Sequence, residues 1–62
     1  MNNTYRIFIN GAFFNGSDIY EYAMNRALSL AMYHKLDFVN TRSKLIIDKW
    51  ANDKMAVIIT KN

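Results

Sequence analysis

The stretch FFNGSDIYEYAMN, residues 13–25, decides how the fold of this chain is interpreted. It contains an Asn-Gly pair, which favours a tight hairpin turn, followed by the aromatic and β-branched residues typical of a strand. It also contains an aspartate followed three positions later by a glutamate, which is the spacing of a capped helix start. The choice between the two sets how much apolar surface remains for a partner.

In the first interpretation, Asn15 and Gly16 form a type I′ turn, because that turn needs positive φ at both central residues. The aromatic stretch IYEY is then a strand, and this composition favours the interpretation. Asn25 would cap a shorter helix over RALSLAMYHKL. The two strands would place their apolar side chains on one face: Ile7, Ile9, Phe13, Tyr20, Tyr22 and Met24.

In the second interpretation, Asn10 and Gly11 make the hairpin turn, and Ser17 or Asp18 caps a helix that runs to about Lys35. At 100° per residue, one side of that helix is apolar: Tyr20, Ala23, Met24, Ala27, Leu28, Leu30 and Ala31. Short apolar stretches satisfy both periods, so the sequence leaves both interpretations open.

The remaining strands are clearer. TYRIFI, residues 4–9, alternates and is rich in β-branched and aromatic residues. KLIIDKW and KMAVIITK read as a second pair of strands. A turn at Asn52 and Asp53 would pair Trp50 with Met55.

The predicted class is α+β, with one helix packed against a small antiparallel sheet of three to four strands. The order is β-β-α-β-β, or β-α-β-β with a longer helix. A chain of 62 residues predicts a single domain, residues 1–62, with a modest core. Its apolar share of 52% predicts a folded chain and not a disordered one.

No pattern in the sequence predicts catalysis, a metal or a cofactor. The chain has no cysteine and one histidine, His34, which is too few for a structural zinc site. The five carboxylates form no evident dyad, and the serines lack a nucleophile motif such as GxSxG. We therefore expect a protein that is not an enzyme and that uses no cofactor.

The N-terminus, MNNTYR, lacks the apolar run of a secretory signal. The longest nearly apolar stretch, ALSLAMY, is far shorter than the roughly 20 residues that span a bilayer. With Met1 present and no cysteine, we expect a complete cytoplasmic protein that has no membrane partner and no small-molecule substrate.

Apolar residues occur on both faces of the C-terminal hairpin, although one helix can cover only one of them. The uncovered face predicts an interface with a larger protein or with a second copy in a homodimer. An alternative for Trp50 is that it closes the core under the helix. The candidate interface residues are Phe8, Phe14, Ile47, Trp50 and Ile58.

The net charge of +3 is uneven along the chain. Residues 1–25 hold one cation against two carboxylates, whereas residues 26–62 hold seven cations against three carboxylates. One interpretation is a solvated basic surface that keeps the protein soluble. The alternative is a small nucleic-acid-binding domain whose phosphate contacts are Arg42, Lys44, Lys49 and Lys54.

In type, the chain resembles the small accessory proteins with which bacteriophages disarm host factors, such as anti-CRISPR, antirestriction or antitoxin-like inhibitors. The resemblance rests on a short, cysteine-free chain rich in Asn, Lys, Met and Tyr, and on the stretches YRIFING, RALSLAMYHK and KLIIDKWANDKMAVIIT. It implies stoichiometric inhibition of a host protein in the host cytoplasm by surface complementarity, without a cofactor. It assigns no role to any individual residue.

Overall fold

The computed structural model describes residues 3–62, which form one helix and a five-stranded antiparallel sheet. The predicted α+β class is confirmed, but the sheet has five strands and not three to four. The fifth is the short strand β3, which is too brief to leave a pattern in the sequence. The spatial order is β2-β1-β5-β4-β3. The elements are β1 Tyr5–Ile9, β2 Ala12–Ser17, α1 Tyr20–His34, β3 Asp37–Phe38, β4 Ile46–Ala51 and β5 Ala56–Lys61.

The N-terminal hairpin turns at Asn10 and Gly11, which have φ values of 51° and 85°. The second interpretation is therefore correct, and the first, with a turn at Asn15 and Gly16, is wrong. Tertiary contacts select the turn, because Asn10 is tied to Ala56 of β5 through both its backbone N–H and its side chain. Its N–H donates to the Ala56 carbonyl at 2.9 Å, and its Oδ1 accepts from the Ala56 N–H at 2.8 Å.

The helix begins at Tyr20, and its N-cap Ile19 makes no side-chain capping bond. The predicted caps have other partners. Ser17 Oγ accepts from the Ile19 N–H at 3.0 Å, and Asp18 Oδ1 accepts from the Thr4 N–H at 3.0 Å. These bonds fix the path from β2 into the helix and tie it to the chain just before β1, so the capping box does not form.

The helix ends in a Schellman motif at Lys35, which has a left-handed φ of 57°. The Leu36 N–H donates to the Ala31 carbonyl at 2.8 Å, and the Lys35 N–H donates to the Met32 carbonyl at 3.3 Å. Leu36 then turns into the core, where it is 9% exposed. A side chain at this left-handed position costs free energy that glycine would avoid.

The predicted register of the C-terminal hairpin is wrong by two residues. Trp50 pairs with Val57 and not with Met55, because the connection is a longer loop. Asn52 organises that loop, since its Oδ1 accepts two backbone N–H groups at 2.8 Å. A shift by an even number of residues leaves the faces unchanged, so Trp50 still lies on the same side as Val57 and Ile59.

A bulge in β4 changes the faces at the start of that strand. Ile46 lies opposite Thr60 and Asp48 lies opposite Ile59, so Ile47 is the extra residue. Ile47 packs against the core. Ile46 lies on the side away from the helix, in contrast to the predicted alternation.

The core lies between the helix and one face of the sheet. The helix contributes only small side chains to its buried stripe, at positions spaced by four residues. Small residues allow the helix to approach the sheet closely, and larger side chains from the strands fill the layer between them. The buried residues are Ile7, Ala23, Ala27, Ala31, Leu36, Trp50, Val57 and Ile59.

The end of the helix yields a stability prediction. Lys35→Gly should raise the free energy of unfolding by roughly 0.5–1 kcal/mol, because glycine adopts the left-handed conformation without a Cβ penalty. Lys35→Ala is the matched control: it removes the same side chain but keeps the Cβ, so its stability should stay near that of the wild type. Urea unfolding followed by circular dichroism measures both. Equal stability of the two variants would contradict the explanation.

Candidate binding surfaces

The sheet face opposite the helix is not covered by any element of residues 3–62. Side chains alternate along a strand, so the neighbours of Ile7, Trp50, Val57 and Ile59 point away from the helix. The strand registers arrange them in two adjacent rows across four strands. We call these rows the open face: Phe13, Phe8, Ile58 and Lys49 in one row, and Gly16, Arg6, Thr60 and Ile46 in the other.

An aromatic pair dominates one end of the open face. Phe8 and Phe13 lie directly opposite each other, and their ring centroids are 5.9 Å apart in an edge-to-face arrangement. A register shift in the β1–β2 pairing makes Phe14 the extra residue of β2. Phe14 therefore has no partner on β1, whereas the adjacent Phe13 pairs with Phe8. Phe13 is 57% exposed, and Phe8 is half-buried beside Ile58.

The charges of the open face are cationic. Arg6 lies next to Phe8 along β1, and Lys49 lies opposite Ile58 on β4. The two rows contain no carboxylate. Asp37 lies one row further along, opposite Ala51 at the β3 edge of the sheet.

The structure separates the five residues of the predicted interface. Phe8 and Ile58 are cross-strand neighbours on the open face. Phe14 lies on the helix side, beside α1. Ile47 packs against the core, and Trp50 is 4% exposed, so we drop both from the candidate interface.

Trp50 closes the core, as the alternative interpretation of this residue expected. Its ring contacts Phe38 of β3 edge to face, with 5.8 Å between the centroids. The sequence reasoning missed Phe13 as a surface residue because it assigned Phe13 to the core face of the wrong hairpin. The signal that could have found it is the first Asn-Gly pair, Asn10-Gly11, because a turn there places Phe13 directly opposite Phe8.

The four predicted phosphate contacts do not form one patch. Arg42 and Lys44 lie in the connection before β4, and Lys54 lies in the loop after it. Six residues of strand, or about 20 Å, separate these two loops. Of the four, only Lys49 lies on the open face.

A second surface is a groove between the edge strand β2 and the helix. Its wider half has a volume of about 530 Å³ and is lined by Phe14, Leu30 and Tyr33, among others. Its narrower half, of about 420 Å³, runs past Gly16 and Tyr22. Asn25 and Arg26 line both parts, so the two adjoin along the helix, and together we call them the β2–α1 groove.

Residues 3–62 contain no group of three or more His, Cys, Asp or Glu side chains that is placed to hold a metal ion. Within the same residues, no helix is both long enough and apolar enough to cross a membrane. Comparison of the chain with protein-family models, with curated proteins and with solved structures gave no match in any of the three.

One side-chain hydrogen bond joins the start of the helix to β4. The Tyr20 hydroxyl donates to Asp48 Oδ2 at 2.5 Å, and the Tyr20 ring packs edge to face on Tyr5. The hydrogen bond to Asp48, aided by burial and by the negative charge of that carboxylate, raises the pKa of Tyr20 to about 12.

This pKa shift predicts a loss of stability in alkaline solution. The pKa of Tyr20 is higher in the folded state than the value near 10 of the unfolded chain. The folded state therefore retains a proton that the unfolded state releases, and stability falls as the pH rises from about 10 to about 12. Tyr20→Phe should cost roughly 1 kcal/mol at neutral pH and should lose less stability across that window than the wild type.

Urea unfolding of both proteins at neutral pH and at about pH 11 measures the difference. Absorbance at 295 nm provides an independent check, because the Tyr20 phenolate should form at a higher pH in the folded protein than in the unfolded chain. Parallel pH profiles for the wild type and Tyr20→Phe would contradict the assignment.

Proposed function

We propose that this chain is a non-catalytic binding protein that acts by covering a surface of a larger protein. The observation that supports the proposal is the open face. An antiparallel sheet with one face exposed to water normally places polar residues on that face. Here a contiguous row of Phe13, Phe8 and Ile58 crosses three strands. Apolar surfaces of this kind mark interfaces.

The row has the composition of an interface centre. Aromatic side chains supply much of the binding energy at protein interfaces, and Phe8 and Phe13 present their rings on a rigid sheet. Arg6 and Lys49 lie beside the row as cations. The best complement is therefore an apolar patch bordered by carboxylates on the partner.

The same charges argue against a second copy as the occupant. A two-fold dimer brings the same patch of both subunits together. Face-to-face packing of two open faces would bring Arg6 and Lys49 of both copies into one interface whose rows hold no carboxylate, which is unfavourable. We therefore propose an unlike partner in preference to a homodimer.

The resemblance to phage accessory proteins adds a biological setting to this proposal. A small domain with a preformed apolar face needs no cofactor to block a surface of a host protein. We propose stoichiometric inhibition or modulation of a protein in the host cytoplasm as the mode of action.

Nucleic-acid binding is the second candidate, and the combination of aromatic rings and cations on the open face favours it. Bases stack on exposed aromatic side chains, while Arg and Lys hold the phosphates. The open face offers Phe13 for stacking and Arg6 with Lys49 for phosphates. Two cations provide weak phosphate binding, so we rank this function second.

The test compares two phenylalanines of nearly equal exposure. Phe13 is 57% exposed on the open face, and Phe38 is 56% exposed at the opposite edge of the sheet, against Trp50 on the helix side. Immobilised wild-type protein is used to capture a partner from nuclease-treated bacterial lysate, and the affinity of that purified partner is then measured. Phe13→Ala should weaken binding at least ten-fold, because buried aromatic anchors dominate interface energetics.

Phe38→Ala should bind the same partner as tightly as the wild type, and Ile58→Asp should abolish binding while circular dichroism shows a retained fold. Equal affinity of Phe13→Ala and wild type would contradict the use of the open face. Recovery of nucleic acid in place of a protein when the nuclease is omitted, with an affinity that falls with salt and falls less after Lys49→Ala, would establish the second candidate.

A further inference from the structure

We propose that the β2–α1 groove binds an extended peptide segment of another protein. The segment adds a sixth strand to the free edge of β2 and places a carboxylate against Arg26. This site lies on the helix side of the sheet, so it is separate from the open face and does not depend on the function proposed for that face.

The free edge of β2 supplies the backbone half of the site. β2 is terminal in the sheet, and its pairing partner is β1. An edge strand presents N–H and C=O groups that an extended peptide can pair with. In β2 the Gly16 N–H is not among them, because it donates to Asn15 Oδ1 at 2.7 Å. The opposite edge is the two-residue strand β3, which is too short to template a partner, whereas β2 has six residues.

The dimensions of the groove suit an extended segment. The lining helix residues run from Tyr22 to Tyr33, which is about 16 Å along the helix axis. The facing strand β2 is about 20 Å long. An extended peptide rises about 3.3 Å per residue, so roughly five residues fill this length.

The wider half of the groove is apolar and is suited to a side chain of that segment. Phe14 from the strand and Leu30 and Tyr33 from the helix form its walls. Phe14 is 48% exposed and Tyr33 is 82% exposed, so both rings are available for contact. In strand addition, main-chain bonds give affinity and such pockets select alternate side chains of the peptide.

Arg26 sets the charge of the occupant. Among the described residues that line the groove, Arg26 is the one with a charged side chain, and it borders both halves. Its helix neighbours at three and four positions are Tyr22, Ala23, Ser29 and Leu30, so no carboxylate on the helix lies within the spacing that pairs side chains. A guanidinium binds carboxylates well through paired hydrogen bonds. An acidic side chain or a free C-terminus of the peptide supplies that group.

A second copy of this chain fits the groove poorly. The strand it would contribute is its own β2, AFFNGS, which carries no carboxylate to meet Arg26. Pairing of two β2 edges would also bring both helices, each with its Arg26, to the same side of the extended sheet. The charge therefore favours an unlike, acidic segment.

The test uses positional-scanning libraries of N-acetylated heptapeptides, one set with C-terminal amides and one set with free C-termini, with binding measured by fluorescence polarisation. We expect selection of Asp or Glu at one position and of a large apolar residue two positions away, because alternate residues of a strand share a face. Preference for the free-acid set would assign the carboxylate to the peptide terminus, and preference within the amide set would assign it to a side chain.

Two matched pairs of variants locate the site. Arg26→Gln should weaken binding of the selected acidic peptide about ten-fold and should leave binding of the Gln analogue of that peptide unaffected. Arg42→Gln, the same change in an exposed loop, should have no effect. Phe14→Ala should weaken peptide binding, whereas Phe13→Ala, the adjacent residue on the open face, should not. Phe13→Ala is also the variant that tests the open face. The open-face proposal fails if Phe13→Ala leaves binding of the captured protein unchanged, and the groove proposal fails if Phe14→Ala leaves peptide binding unchanged, so the two failures are distinguishable.

N-methylated peptides test the strand pairing itself. Alternate amides of an added strand point towards β2, so methylation of one alternating set should abolish binding and methylation of the other set should leave it intact. Three outcomes would overturn the proposal: no sequence preference in either library, equal effects of the two methylated sets, or peptide-induced NMR shifts centred on Phe8 and Ile58. A stable dimer in light scattering that Phe14→Lys dissociates would assign the β2 edge to a second copy, against the proposal.

Discussion

The pairing of Asn10 with Ala56 is the contact on which the rest of the fold depends. It holds the tip of the first hairpin against the start of β5, and so it fixes the turn at Asn10 and Gly11. With the turn there, β1 becomes a central strand between β2 and β5, and residues 20–34 are free to form the helix. A turn five residues later would have made the N-terminal part of that helix a strand, and the remaining helix would have been much shorter.

The sequence predicts the class of the fold well and its details unevenly, for physical reasons that particular residues illustrate. The alternation of β1 and β5 and the alanine-rich stripe of the helix are strong periodic signals. The choice between two Asn-Gly pairs is not local, because it depends on Ala56, which is 46 residues from Asn10. The register of β4 with β5 depends on the side chain of Asn52, which widens the loop, and on a bulge that no periodic pattern reveals.

The candidate binding surfaces were predictable to a similar degree. Apolar residues on both faces of the C-terminal hairpin predicted a sheet face without a covering element, which is what residues 3–62 show, and Ile58 lies on that face. The same pattern could not show whether Trp50 is a buried core residue or a surface anchor, because its burial depends on Phe38 of the short strand β3. The pattern also could not indicate the β2–α1 groove, which exists only once the chain has placed the edge strand beside the helix.

The alanine stripe of the helix has a consequence for how this protein can change over generations. Because Ala23, Ala27 and Ala31 fill the centre of the contact with the sheet, four large side chains of the helix are left exposed, whereas Met24 and Leu30 pack against the core: the exposed four are Tyr22, Leu28, Met32 and Tyr33. The residues that maintain the fold and those that can meet a partner are therefore almost separate sets. Substitutions among the exposed residues leave the buried residues unchanged. A chain of this size can therefore adapt to sequence changes in a partner while its core stays the same.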